Sequence, residues 1–187
     1  MEEEVEKCVS LLKEGKVILY PTDTVWGIGC DATNEEAITR VYRIKQRNEK
    51  KSMIILLDSM QRLPMYVQKI PLIAWDLLAH VTRPTTFVYQ TAYNLPEKLI
   101  HEDGTIAVRI VQNDFCRKVI RELGRPLVST SANIAGEPTP QTFDKISQDV
   151  ISQMDYVVSQ EQSTSMEFKP SRLIKVLEDY NFTIIRD

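Results

Sequence analysis

The chain has 187 residues, of which 43% are hydrophobic and 26% charged, with a net charge of −3. That supplies a core for one domain over residues 1–187 and excludes both a disordered chain and a uniformly basic, nucleic-acid-coated surface, so any polyanion contact is a local patch. No apolar run nears the roughly 18 residues of a membrane span, and Met1-Glu2-Glu3-Glu4 lacks a signal-peptide pattern, so no membrane association and a cytoplasmic location are expected.

The first predicted helix covers residues 2–14: Val5, Cys8, Val9 and Leu12 share a face, acids open it, and Gly15 stops it. A short buried strand follows over 17–20 and ends at Pro21, which has no N–H for a ladder. Thr33 is read as the N-cap of the next helix, with Glu36 as its capping-box partner. This helix runs to about Gln46, with Ala37, Ile38, Val41, Tyr42 and Ile44 as its inward stripe, and basic residues concentrate from Arg40 to Lys51. Residues 53–57 form the second strand. Helices are predicted over 59–67 and 72–80, and a β-branched, aromatic strand over 85–90. Residues 94–103 read as loop and 105–110 as a strand. Asn113 or Asp114 caps a helix that ends at Gly124. A strand at 126–130 runs into the loop 131–138, and Thr142 or Asp144 opens a short helix. Three more strands lie at 156–159, 172–176 and 182–186, and the polar stretch 160–169 reads as a mobile loop. About seven strands alternating irregularly with helices predict an α/β fold with a twisted, mixed, open sheet and flanking helices.

Common signatures are absent. There is no Walker A loop, Gly-x-Ser-x-Gly elbow or Cys-x-x-Cys, and Gly27-Ile-Gly29 lacks the third glycine of a dinucleotide fingerprint. Cys8, Cys30 and Cys116 are widely spaced and read as reduced thiols; with His80 and His101 isolated, no protein metal site is expected. What remains is polar clusters at the ends of apolar strands. Thr22-Asp23-Thr24 can bind a small polar ligand or form an ordinary turn. Lys45-x-Arg47 with Lys50 and Lys51 can hold phosphate, or be a solvated helix end. Thr105, Ala107 and Arg109 share one strand face, and an arginine there needs a partner: a ligand carboxylate or an internal salt bridge. Ser129, Thr130, Ser131 and Asn133 put hydroxyl and amide groups at a strand's carboxyl end, where open α/β sheets bind ligands; a Ser/Asn-rich turn is the alternative.

In order and spacing, Pro21-Thr-Asp-Thr-Val-Trp-Gly27, Lys45-x-Arg47, Val108-Arg109 and Ser131-Ala132-Asn133-x-x-Gly136 resemble the YrdC-type threonylcarbamoyl-AMP synthases. The resemblance covers residues 5–186. It implies a large concave, positively charged cavity and a reaction in which L-threonine, bicarbonate or CO2, and ATP give threonylcarbamoyl-AMP and pyrophosphate, for tRNA threonylcarbamoyladenosine formation. It also implies Mg2+ accompanying ATP, downstream threonylcarbamoyl transferase proteins, and tRNA or double-stranded RNA as a further partner. By residue, it implies catalytic roles for Lys45, Arg47, Ser131 and Asn133. Threonine contacts fall to Thr24, Arg109, Ser129, Ser131 and Ser171, and ATP contacts to Arg47, Lys51, Thr105, Asn133 and Arg186. The chain departs from the family pattern at Trp26, Asn48, the segment 80–86 and Arg172. Two other readings use the same residues: an RNA-binding module without catalysis, and a divergent paralogue making another carbamoyl adenylate.

Overall fold

The computed structural model describes residues 1–46, 53–164, 166–178 and 180–187. The described residues form one nine-stranded mixed sheet, ordered β7-β1-β2-β6-β3-β5-β4-β8-β9. The strands are β1 (Ile18–Tyr20), β2 (Gly27–Gly29), β3 (Ile54–Leu57), β4 (Thr85–Tyr89), β5 (Ile106–Ile110), β6 (Leu127–Ser131), β7 (Tyr156–Val157), β8 (Arg172–Val176) and β9 (Phe182–Arg186). Helices α1 (Glu2–Lys13), α2 (Glu35–Lys45), α3 (Leu72–His80), α4 (Asp114–Leu123) and α5 (Gln148–Ile151) flank it. The α/β class and the open, mixed, twisted sheet therefore match the expectation, with β2 added to the eight strand segments read from the pattern.

Strand alternation divides the residues between two faces. On one face, Val17, Leu19, Ile55, Leu57, Phe87, Tyr89, Ile106, Val108, Ile174 and Val176 join Ala37, Ile38 and Val41 of α2 in the larger core. On the other, Ile18, Tyr20, Leu56 and Leu127 pack beneath α1 and α4 through Val5, Cys8, Leu12, Phe115, Val119 and Ile120. These two helices cover only the β1–β3 end of that face. Toward β5, β4, β8 and β9 the face stays open, and Thr86, Arg109, Lys175 and Arg186 appear among its apolar residues. One cross-strand row runs Arg186, Leu173, Thr86, Arg109, Leu56 and Leu127.

Local differences have physical reasons. The residues 59–67 form a 3-10 helix at Met60–Met65 rather than an α-helix, since Pro64 removes a donor from the turn. Asn34, not Thr33, caps α2: its Oδ1 accepts from Ala37 N at 3.0 Å, while Thr33 donates to Asp31 Oδ1 through N and Oγ1 at 2.8 and 2.7 Å. The strand β2 is missed by propensity because two of its three residues are glycine. It exists because neighbours need the space: a Cβ on Gly29 would sit 2.3 Å from Val128 O and 2.6 Å from the Tyr20 ring. The Tyr20 hydroxyl meanwhile donates to Val128 O at 3.0 Å. The stretch 160–169 begins with a 3-10 turn, Gln160–Gln162, and closes back on the chain, Glu167 N donating to Asp23 O and Phe168 N to Thr24 O.

Lys45 ends α2, and its side chain turns inward rather than along the surface. The residue is 2% exposed. Its ammonium donates to Ser131 O at 2.5 Å, Asn133 O at 2.6 Å and Asn133 Oδ1 at 3.1 Å. Its carbonyl accepts from Ala135 N at 2.8 Å. One residue thus fixes the turn after β6 from both its main chain and its side chain.

Replacing Lys45 by Met removes the charged donor from buried carbonyls, and a loss on the order of 3 kcal/mol is expected in urea unfolding. A midpoint unchanged from the unsubstituted protein would show that the turn is held by other means. Gly29→Ala is expected to lose about 2 kcal/mol or more through overpacking. Gly27→Ala, whose nearest new neighbour is the movable Ser129 Oγ at 3.2 Å, is expected to lose less in the same assay.

Candidate active site

The open end of the sheet face is the floor of a cavity of about 470 Å3. Its floor residues come from alternate positions of adjacent strands: Ala107 and Arg109 of β5, Thr86 and Val88 of β4, Leu173 and Lys175 of β8, and Arg186 of β9. Ser129 and Ser131 of β6 form one wall with Thr22, Thr24 and Trp26; His101, Asp103 and Thr105 form another; Pro170 and Ser171 lie opposite. The site therefore lies on a sheet face rather than at the carboxyl ends of the strands. The missing helix cover makes it, and the period of two delivers its residues.

Of the residues singled out from sequence, Thr24, Thr105, Arg109, Ser129, Ser131, Ser171 and Arg186 line this one cavity. Lys45 and Asn133 lie behind its wall. The Asn133 amide donates to Ile134 O at 3.1 Å and Glu137 O at 2.7 Å, while its Oδ1 receives Lys45. Arg47 and Lys51 fall outside the described residues.

Arg109 has the internal partner that chemistry demands. Its Nη2 lies 3.1 Å from Asp23 Oδ1, with the two side chains 4% and 3% exposed. Gln112 N donates to Asp23 Oδ2 at 3.0 Å. Asp23 is thus occupied by the protein rather than turned toward an incoming amine. Arg109 Nη2 also reaches Thr22 Oγ1 at 3.4 Å. Its Nε hydrogen is buried and has no acceptor among the described residues. A buried unpaired donor is costly unless something supplies an acceptor, and here it belongs to a residue of the cavity floor.

Hydroxyls are arranged around this cation. Thr22 Oγ1 lies 3.0 Å from Thr24 Oγ1 and donates to Val25 O at 2.7 Å. Thr86 Oγ1 and Ser171 Oγ are 2.7 Å apart, joining β4 to the segment before β8. Thr86 was not singled out from sequence, because only the β4–β8 register brings it to Ser171. The Arg186 guanidinium donates through Nε and Nη2 to Ser171 O at 3.1 and 2.8 Å. Burial, and then the charge of Arg109, pull the Arg186 pKa below its ordinary value, so the two guanidinium groups feel one another across the floor.

Near β5 and β8, Asp103 Oδ1 accepts from Thr105 N at 3.1 Å and Thr105 Oγ1 at 2.6 Å, and its Oδ2 lies 3.5 Å from Lys175 Nζ. The Thr105 hydroxyl, with Lys175 as a lesser contributor, holds the Asp103 carboxyl below its usual range. Of the departures from the family pattern, Asn48 falls outside the described residues. Trp26 packs tilted on Phe143 with ring centroids 4.9 Å apart, and Arg83 and Arg172 both pair with Asp187.

The thiols are not part of this chemistry. Burial pushes Cys8 up to about 12 and raises Cys30 and Cys116 further, so none is a ready thiolate. Among the described residues no group of three or more His, Cys, Asp and Glu side chains could hold a metal ion. None of their helices is long and apolar enough to cross a membrane.

Comparison with known proteins gives this arrangement a lineage. A threonylcarbamoyl-AMP synthase of Pseudoalteromonas translucida is 35% identical over 159 residues, covering 83% of this chain and 85% of its own. Among solved structures, P. abyssi Sua5 complexed with L-threonine superposes with a TM-score of 0.85 at 24% identity. All of this chain matches 54% of that longer one, so this chain spans about half of it. E. coli YciO superposes with a TM-score of 0.83 at 22% identity over 100% of this chain and 90% of its own. The Sua5/YciO/YrdC family model, described as "Telomere recombination", matches residues 10–187, and the chain belongs to that family.

Proposed function

We propose that this protein is a threonylcarbamoyl-AMP synthase, an adenylyl-transferring enzyme that makes the activated carbamate used in tRNA threonylcarbamoyladenosine formation. The observation that carries the reading is the cavity floor itself: a buried arginine with an unpaired N–H, ringed by hydroxyls, with a second guanidinium on the same sheet row. That equipment suits a small amino acid and a polyanion, and no cysteine lines it. The name of the P. translucida relative supports the same reading.

The reaction needs little covalent help. The threonine amine, once deprotonated, attacks the carbon of CO2 and loses a proton to give the carbamate; from bicarbonate the by-product is water. A carbamate oxygen then attacks the α-phosphorus of ATP, the bond to the β-phosphate bridging oxygen breaks, and pyrophosphate leaves. Holding three reactants in line and neutralising charge are the protein's main contributions. In this scheme Arg109 takes the threonine carboxylate, with its free Nε–H completing the fork, and Thr24, Ser129 and Ser131 orient the amino acid. Ser171, fixed by Thr86 and Arg186, borders the same pocket. Thr105 and Arg186 face the nucleotide, with Arg47 and Lys51 as further ATP ligands. Asn133 and Lys45 act by positioning, since Lys45 anchors the turn carrying Ser131. Mg2+ enters as part of the substrate on the ATP phosphates: Asp103, which lines the cavity, and Asp23, buried behind Arg109, are already spent on Thr105 with Lys175 and on Arg109. We further read residues 1–187 as one domain acting in the cytoplasm and handing its labile product to a threonylcarbamoyl transferase and tRNA.

Mass spectrometry of a mixture of ATP, L-threonine and bicarbonate with the protein is expected to reveal threonylcarbamoyl-AMP and pyrophosphate; well-folded protein that forms neither would refute the proposal. Arg109→Lys keeps the charge opposite Asp23 but loses the planar fork, so the threonine KM is expected to rise by about tenfold or more. The ATP KM should move little. Equal changes in both would mean that Arg109 does not bind threonine.

A further inference from the structure

We infer that Lys175 is an additional phosphate ligand of the nucleotide, held ready on Asp103 and released from it when the anion arrives. No sequence motif points to this lysine; its placement does. β8 alternates strictly: Ile174 and Val176 are buried in the larger core, while Leu173 and Lys175 face the cavity. Lys175 pairs across the strands with Val88, which pairs in turn with Ala107. The ammonium therefore rises from a small apolar floor, adjacent to the row that carries Arg109 and Arg186.

Its contact with Asp103 is lopsided. Asp103 is anchored through the other oxygen, Oδ1, by the main chain and hydroxyl of Thr105 at 3.1 and 2.6 Å. Lys175 approaches Oδ2 only to 3.5 Å, and its side chain is 33% exposed. A half-exposed pair at that separation contributes little, because water screens it and the long side chain loses rotamer freedom. A phosphate group offers more charge and three acceptor oxygens, so exchange of partners is downhill for Lys175. Asp103 need not move: it stays on Thr105 and keeps that hydroxyl oriented. The pair thus prevents a lone cation from sitting over apolar floor in the empty cavity, and gives it up to a ligand that carries its own charge.

The identity of the anion as ATP rests on the proposed synthase activity; the ligand role of Lys175 does not. Isothermal titration with ATP, AMP and adenosine separates the two. Lys175→Met keeps the aliphatic stem and is expected to fold with an unchanged Tm while weakening ATP binding about tenfold and AMP binding by a similar factor. Adenosine, which has no phosphate, should bind both forms alike, and Lys175→Arg should restore most of the ATP affinity. Asp103→Asn supplies the sign test. If the pair is only structural, both substitutions break it and weaken ATP in the same way; if Lys175 is a ligand, Asp103→Asn leaves ATP affinity intact or raises it. Unchanged ATP affinity in Lys175→Met, or equal weakening of ATP and adenosine, overturns the inference even if the protein makes threonylcarbamoyl-AMP. Lys175-dependent ATP binding by a protein that forms no such product upholds it and overturns the synthase reading instead.

Discussion

A sheet of nine strands has two large faces, and the helices here cover one face and only part of the other. The strand residues on the uncovered part cannot be apolar without exposing a wide hydrophobic patch, and cannot be polar without partners where they are shielded from water. The chain resolves this by setting polar residues among the apolar ones there and cross-linking them: Arg109 with Asp23, Thr86 with Ser171, Arg186 with the Ser171 carbonyl, Thr105 with Asp103. Within this network the buried side-chain atoms without a hydrogen bond are Arg109 Nε and Asp23 Oδ1, the latter facing Arg109 as an ion pair. Site and fold therefore share one origin, the stopping of α1 and α4 at β3.

Lys45 sets how accurately this network can be held on the β6 side. A fully buried lysine is costly unless its charge is repaid by good acceptors. Here the acceptors are the carbonyls of Ser131 and Asn133, so the cost of burying the ammonium is converted into a fixed shape for the turn that presents Ser131. The helix end, the turn and the β2–β6 pairing become one rigid corner, tightened by the glycine at position 29 that lets β2 approach Val128 and Tyr20.

Much of this was legible in the residues. The stripes of α1, α2 and α4 and the caps Asn113 and Gly124 are local signals, and local signals decided those elements. The even spacing of Thr105, Ala107 and Arg109 placed all of them on the cavity side. The misses were matters of distance along the chain. Gly27-Ile-Gly29 becomes a strand only because β1 and β6 flank it. Thr86 meets Ser171 through a parallel register spanning 85 residues. Lys45 sits beside an apolar stripe, and periodicity cannot tell a lysine that runs along the surface from one that turns in to meet carbonyls 86 and 88 residues away. The turn cluster Thr22-Asp23-Thr24 allowed both a structural and a ligand-binding reading; the structure uses Asp23 for the first and leaves Thr24 facing the cavity.

Asp23 has a second attachment. Its carboxylate braces Arg109 in the cavity floor, while its carbonyl, with that of Thr24, accepts from Glu167 and Phe168 in the segment that leads to Ser171. Floor and rim are thereby connected through one short turn. By thermodynamic linkage, a ligand that favours the braced arrangement of Arg109 must also resist detachment of that rim, and detachment must weaken the ligand by the same factor. Amide exchange at Glu167 and Phe168 is thus a remote gauge of occupancy at Arg109, readable on main-chain groups that the ligand itself need never touch.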